Sequence, residues 1–193
     1  MKCLVVVAHP LEDSLCQHLA KETIQHMKDK GYQVTIKDLY KEGFNPLLTV
    51  AERSSYYDAQ FDVSQLHDDI AQLQEAESLV LVFPTWWFSF PAILKGWFDR
   101  VWAPSYAYDH ASDLGAITPC LLGLREVKVV TTLGAPWWVD FFVMRKPVKR
   151  VLKYGILGAC TKKCDFQMLS LYESEKLTEA KVSKFVGKIK ANL

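Results

Sequence analysis

Apolar residues along the chain fall into two patterns, short unbroken runs and stripes spaced three or four residues apart. The unbroken runs are Lys2 to Ala8 (KCLVVVA), Leu79 to Phe83 (LVLVF) and Glu126 to Thr132 (EVKVVTT). Their length and β-branched content predict strands covered on both faces. Tyr32 to Leu39 alternates, with Val34 and Ile36 on one face, and predicts a half-exposed strand. Cys164 to Leu171 predicts a fifth. Between the strands the spacing turns helical. Cys16, Leu19, Ala20, Thr23 and Met27 form one stripe, capped by Ser14 and ended by a left-handed Gly31. Leu94, Trp97, Phe98, Val101 and Trp102 form another, with Lys95 and Asp99 on its wet side. Here Pro84 ends the preceding strand, Pro91 occupies the first helical turn and Pro104 marks the stop. Ser64 to Glu77 predicts a helix, as does Leu177 to Leu193 with Val182, Phe185, Val186 and Ile189 in step. Alternating strands and helices predict an α/β fold, a doubly wound parallel sheet with helices on both faces.

In such a sheet, ligands bind beyond the carboxyl ends of the strands. The first such loop, His9-Pro10-Leu11-Glu12-Asp13-Ser14, leads into a helix whose free amides and dipole favour an anion, phosphate being the obvious candidate. It is neither a Walker loop nor a GxGxxG fingerprint. His9 can equally be a satisfied loop histidine, and Ser14 merely a cap. The third strand runs into Thr85, Trp86, Trp87 and Phe88, aromatics that suit a flat ring or pack back onto the helix below. The fourth ends in Leu133-Gly134-Ala135-Pro136, where a glycine allows close backbone approach to a planar ligand. Tyr40 to Phe61 reads as a long irregular segment, and Pro104 to Cys120 as a polar, aromatic loop bordering the site.

Composition narrows the class. At 193 residues and net charge +1, half of it hydrophobic, the chain reads as one soluble globular domain, and that balance suggests neither nucleic acid nor a membrane. No run is long enough to span a bilayer and no signal-peptide pattern opens the chain, so a cytoplasmic location is expected. The five scattered cysteines are expected as reduced thiols. Cys160 and Cys164 supply two ligands where a structural zinc needs four, so no metal is expected. Five basic residues in nine, Arg145 to Lys153, read as a helix disturbed by Pro147. That run is either a solvated face or an attraction for a 2′-phosphate.

The stretch PTWWFSFPAILKGWFDRVW, from Pro84 to Val101 and Trp102, resembles the P-x-x-W-x-x-x-P-A-I-L-K-G-W-x-[DE]-R-V signature of the flavin-dependent NAD(P)H:quinone oxidoreductases. That group includes modulator-of-drug-activity reductases and ancillary subunits of potassium-efflux systems. The likeness extends to A-H-x-x-x-x-S at His9 and Ser14, to F-N-P-x-L near Phe44, and to T-T-x-G at Thr131 to Gly134. It implies a flavodoxin-like five-stranded sheet of order 2-1-3-4-5, a bound FMN or alternatively FAD, and NAD(P)H as electron donor. A quinone-type acceptor and a homodimer are implied too. The cofactor-binding positions it implies are His9, Ser14, Leu15, Cys16, Pro84, Thr85, Trp86, Trp87, Phe88, Thr131, Thr132, Leu133 and Gly134, Leu15 and Cys16 acting through their amides. No protein nucleophile is expected, since the flavin carries the chemistry. Pro136 to Phe142 departs from the vertebrate members, whose site tyrosine and histidine have no clear counterpart there. Two other classes stay open, an ancillary subunit of a membrane potassium transporter and a flavodoxin-like electron carrier. The nearly neutral charge disfavours the carrier, which docks through acidic surfaces.

Overall fold

The computed structural model describes residues 1–58, 61–110 and 116–193. Five strands form one parallel sheet: β1 (Lys2–Val7), β2 (Gln33–Asp38), β3 (Ser78–Pro84), β4 (Glu126–Thr132) and β5 (Asp165–Leu171). Their order is 2-1-3-4-5, the flavodoxin-like arrangement that the resemblance implied. A separate two-residue ladder pairs Tyr108–Asp109 with Thr118–Pro119. The predicted loop Pro104 to Cys120 falls partly on residues 111–115, and Tyr40 to Phe61 partly on 59–60, which lie outside the described residues.

The central strands are apolar without interruption because each side of the sheet has its own core. Leu4, Val6, Leu79, Leu81, Val127 and Val129 point to one side, against helices α3 (His67–Glu75) and α4 (Ala92–Val101). Val5, Val7, Val80, Val82 and Val130 point to the other, against α1 (Leu15–Asp29) and the last helix (Glu179–Asn192). Strand β2 lies at the sheet's edge, so its apolar face is only partly covered and Ile36 stays 44% exposed. Among the described residues no helix is long and apolar enough to cross a membrane.

Several boundaries move from their predicted places. Pro84 belongs to β3 as its last residue, paired with Thr132. Pro91 sits just outside α4 as its N-cap, with ψ 144, and not within the first turn. The Ser64 to Glu77 helix begins only at His67. The Tyr40 to Phe61 segment is not wholly irregular. Thr49 and Glu52 close a reciprocal capping box that starts α2 (Val50–Ser54), and a 3₁₀ turn, Ser55–Tyr57, follows. The T-x-x-E spacing carried that signal in the sequence. Pro147 does not disturb the basic helix. It stands at the helix's first position, where its missing N–H costs nothing, and the run continues as Pro147–Arg150, a π-helical Val151–Ile156 and Leu157–Cys160. The irregularity lies just upstream, where Arg145 and Lys146 both adopt left-handed backbone.

Candidate active site

The sheet order sends the connection after β1 one way and that after β3 the other, so the loops beyond these two neighbouring strands part and leave a crevice at one rim. Backbone bonds fasten this rim. The Ala8 amide donates to the Val82 carbonyl at 3.0 Å, Thr85 to Thr132 at 2.8 Å and Leu133 to Leu171 at 2.9 Å. The Thr85 and Thr131 hydroxyls bond each other at 2.8 Å. Pro84, Thr131 and Thr132 are therefore buried parts of the rim's frame. The Leu133 amide is likewise spent, whereas the Gly134 and Ala135 amides have no protein partner among the described residues.

The loop after β3 has unusual backbone. Trp86 and Ser89 exchange two hydrogen bonds, at 3.2 and 2.9 Å, across a two-residue turn. Trp87 and Phe88, the central pair, have φ of 51° and 54°, left-handed values that glycine normally takes in a turn of this hand. Such conformations cost about 1–3 kcal/mol each and gather at functional sites. The turn leaves the Trp87 and Phe88 amides without a protein partner among the described residues, and it leaves the Trp87 ring 98% exposed. A cavity of about 190 Å³ lies between Thr85, Trp87 and Phe88 on one side and Leu133, Gly134 and Ala135 on the other.

Gly134 is not left-handed, and a Cβ built on it would meet only the Glu175 carboxylate, at 3.0 Å. Its contribution is thus not conformational. Nothing in the sequence flagged Glu175, which reaches this glycine from beyond β5.

The loop after β1 lies beside the β3 loop, though none of its residues lines this cavity. His9 Nδ1 lies 3.1 Å from the Leu11 amide and 3.3 Å from the Leu11 carbonyl, and in the tautomer that accepts the amide Nε2 carries the proton. Its ring lies 6.2 Å from that of Trp86, so the first and second loops touch. Ser14 does cap α1, its Oγ accepting from Gln17 at 3.2 Å, and the hydroxyl proton stays free to donate. The first-turn amides of Leu15 and Cys16 are open, as helix geometry requires. The Cys16 thiol points into the core, where burial, and then the charge of Asp38, push it up to about 12, so only its amide is available to a ligand. Sequence reasoning also missed Gln17. Its side-chain amide donates to Asp38 at 2.8 Å and to the His9 carbonyl at 3.5 Å, holding the loop against the end of β2.

The rim thus gathers unpartnered amides from three loops, two of which line one shallow cavity, while the third, at the start of α1, meets the β3 loop through His9 and Trp86. Comparison with known proteins bears on the fold and the family. The model of the family described as "Flavodoxin-like fold" matches residues 1–191. An uncharacterized NAD(P)H oxidoreductase of Haemophilus influenzae is 38% identical over 168 residues, covering 83% of this chain and 78% of that protein. This chain belongs to the flavodoxin-like NAD(P)H:quinone oxidoreductase family. The rat NAD(P)H dehydrogenase (quinone) 1 is 32% identical over 127 residues, an alignment that covers 58% of this chain and about half, 46%, of the rat protein. The crystallised NAD(P)H:quinone oxidoreductase of Methanothermobacter marburgensis superposes with a TM-score of 0.83 at 20% identity, covering 99% of this chain and 94% of that one, and shares the fold. The signature block of this family maps here onto β3, the strained turn and α4.

Proposed function

We propose that the chain is a flavin-dependent oxidoreductase that takes hydride from NAD(P)H and passes two electrons to a quinone-type acceptor, with FMN as the preferred cofactor and FAD as the alternative. The observation that carries this reading is the strained Trp86–Ser89 turn, which opens the Trp87 and Phe88 amides at a cavity facing the Gly134 and Ala135 amides. Such a pair of donor edges suits the heteroatom rim of a planar ring. A bound flavin would supply reversible two-electron chemistry that no side chain here offers.

The protein's share is position and charge. The open Leu15 and Cys16 amides, the Ser14 hydroxyl and His9 Nε2–H would hold the phosphate at the α1 N-terminus. The Trp87 and Phe88 amides would hold one polar edge of the ring, and those of Gly134 and Ala135 would steady negative charge at the other. Donor and acceptor would use the same open face in turn, which gives ping-pong kinetics. Glu175 beside Gly134 would oppose negative charge held there, so its flexible side chain would turn away from a bound ring.

A homodimer also belongs to this reading. Leu48, Tyr57, Phe98, Trp102, Val151 and Ile156 line an apolar groove of about 590 Å³ on the face carrying the Phe44–Tyr57 segment, a surface that a second copy would cover.

The decisive experiment is the visible spectrum of the purified chain after addition of FMN or FAD, followed by bleaching with NADPH or NADH under nitrogen and recolouring with a quinone. Retained yellow colour that cycles is expected. Protein that stays colourless with both flavins overturns the cofactor reading, and colour that neither nucleotide bleaches overturns the reductase reading.

A further inference from the structure

Immediately beyond the cavity, Pro136 leads into a segment that places large apolar side chains in water. Trp137, Trp138, Phe141, Phe142, Val143 and Met144 are all exposed, Phe142 to 63%. They are not loosely held. The rings pack on one another, Trp137 with Phe142 at 5.9 Å and Phe141 with Phe142 at 4.9 Å, over a π-helical turn, Val139–Val143. That turn is pinned from beneath. Tyr172 donates its hydroxyl to the buried Asp140 carboxylate at 2.9 Å, and the Lys146 amide donates to the Asp140 carbonyl at 2.7 Å. A fixed, exposed apolar cluster of this kind marks an interaction surface.

Charge says what the surface meets. From Phe141 to Cys164 there is no acidic residue, and seven of the chain's 23 basic residues fall there, which leaves the rest of the chain at −6 against an overall +1. Among the described residues, none of Arg145, Lys146, Lys149, Arg150 and Lys153 has a carboxylate within ion-pair distance. The nearest is stacked instead, Lys146 Nζ lying 4.5 Å from the centre of the Phe141 ring. Exposed aromatic and aliphatic side chains followed along the chain by unpaired cations, one of them stacked on Phe141, suit the headgroup layer of an anionic membrane. A second copy of this chain fits less well, because a two-fold contact centred on the patch would set the cations against their own image.

We infer that the Trp137–Met144 segment, with the basic helix that follows it, is a peripheral docking surface for an anionic lipid bilayer, which holds the rim of the sheet at the membrane boundary. Balanced overall charge conceals this surface, since attraction to a membrane is local and falls away within a Debye length.

Flotation of the full chain with vesicles tests the inference, using phosphatidylcholine alone and phosphatidylcholine mixed with phosphatidylglycerol. The protein is expected to float with the mixed vesicles, to stay behind with the neutral ones, and to be released by salt. Trp138→Ser with Phe142→Ser, and separately Arg150→Glu with Lys153→Glu, are each expected to lower the bound fraction at least about tenfold while circular dichroism stays unchanged. Failure to float with either vesicle overturns the inference, as does equal, salt-insensitive flotation with both. If Trp138→Ser with Phe142→Ser instead splits a self-associated species in sedimentation, the patch belongs to a second copy and the inference falls. Flotation needs no turnover, so its outcome is independent of the reductase reading, which the turnover of a water-soluble quinone measures on its own.

Discussion

Gly96 and Gly134 show how one residue type answers to different constraints. A Cβ on Gly96 would lie 2.3 Å from the Pro46 carbonyl oxygen and 2.4 Å from the Pro46 Cβ, neither of which can move without the chain. A Cβ on Gly134 would press only on the end of the Glu175 side chain, which rotates away. Gly96→Ala is therefore expected to destabilise the fold by about 1–3 kcal/mol, the range for overpacking. Gly134→Ala is expected to stay within about 0.5 kcal/mol of the parent, as substitutions that meet no fixed neighbour do. Urea unfolding of the two variants checks the contrast, and equal losses would mean that Pro46 yields. Both glycines stand in stretches that the sequence singled out, yet their reasons were invisible there because each reason is an atom from a distant part of the chain.

At the scale of elements, the link between α2 and α4 stands out. Arg100 on α4 is buried and directs its guanidinium to Glu52 on α2, Nε lying 3.1 and 3.0 Å from the two carboxylate oxygens. It also donates to the Asn45 carbonyl and, at 3.2 Å, to Gln65. Glu52 serves twice, for its other role is to accept the Thr49 amide at 2.8 Å in the capping box. Truncating one member of a buried pair strands a charge, so Glu52→Ala is expected to cost about 3–5 kcal/mol. Replacing both, with Arg100→Met added, is expected to recover part of that loss. A double-mutant cycle in urea measures the coupling, and additive losses would show that the two side chains act separately. The strained Trp86–Ser89 turn behaves differently. Its exposed Trp87 ring packs on little and glycine takes this backbone without strain, so Trp87→Gly is expected to stabilise the fold, by at most about 1–3 kcal/mol, while weakening flavin retention, measured by equilibrium dialysis.

For the whole molecule, buried thiols set the alkaline limit. Burial pushes Cys16 and Cys160 up to about 12 and Cys3 to about 11, from an ordinary value of 9.0. A folded-state value above the unfolded one means that the native chain keeps protons the unfolded chain has lost. Stability is then complete below about pH 9 and falls as pH rises towards 12, by about 1.4 kcal/mol per pH unit for each such thiol. The urea midpoint is expected to be lower at about pH 10 than at about pH 8, and Cys16→Ala with Cys160→Ala to flatten the difference. A midpoint that does not move would place these thiols in contact with water.

The sequence by itself determined the parts whose signal is local. Unbroken apolar strands, helical stripes, the Ser14 cap and the left-handed Gly31 all stand as the pattern implied, because each depends on neighbours within a few residues. The rim loops were legible as loops at strand ends, and the order 2-1-3-4-5 through resemblance. Tertiary structure decided what depends on distant partners. Such are the left-handed Trp87 and Phe88, the burial of Pro84, Thr131 and Thr132 as frame, the spending of the Leu133 amide on Leu171, and the carboxylate of Glu175 over Gly134. It also set Lys146 over the Phe141 ring, a pairing that the count of charges along the chain does not show.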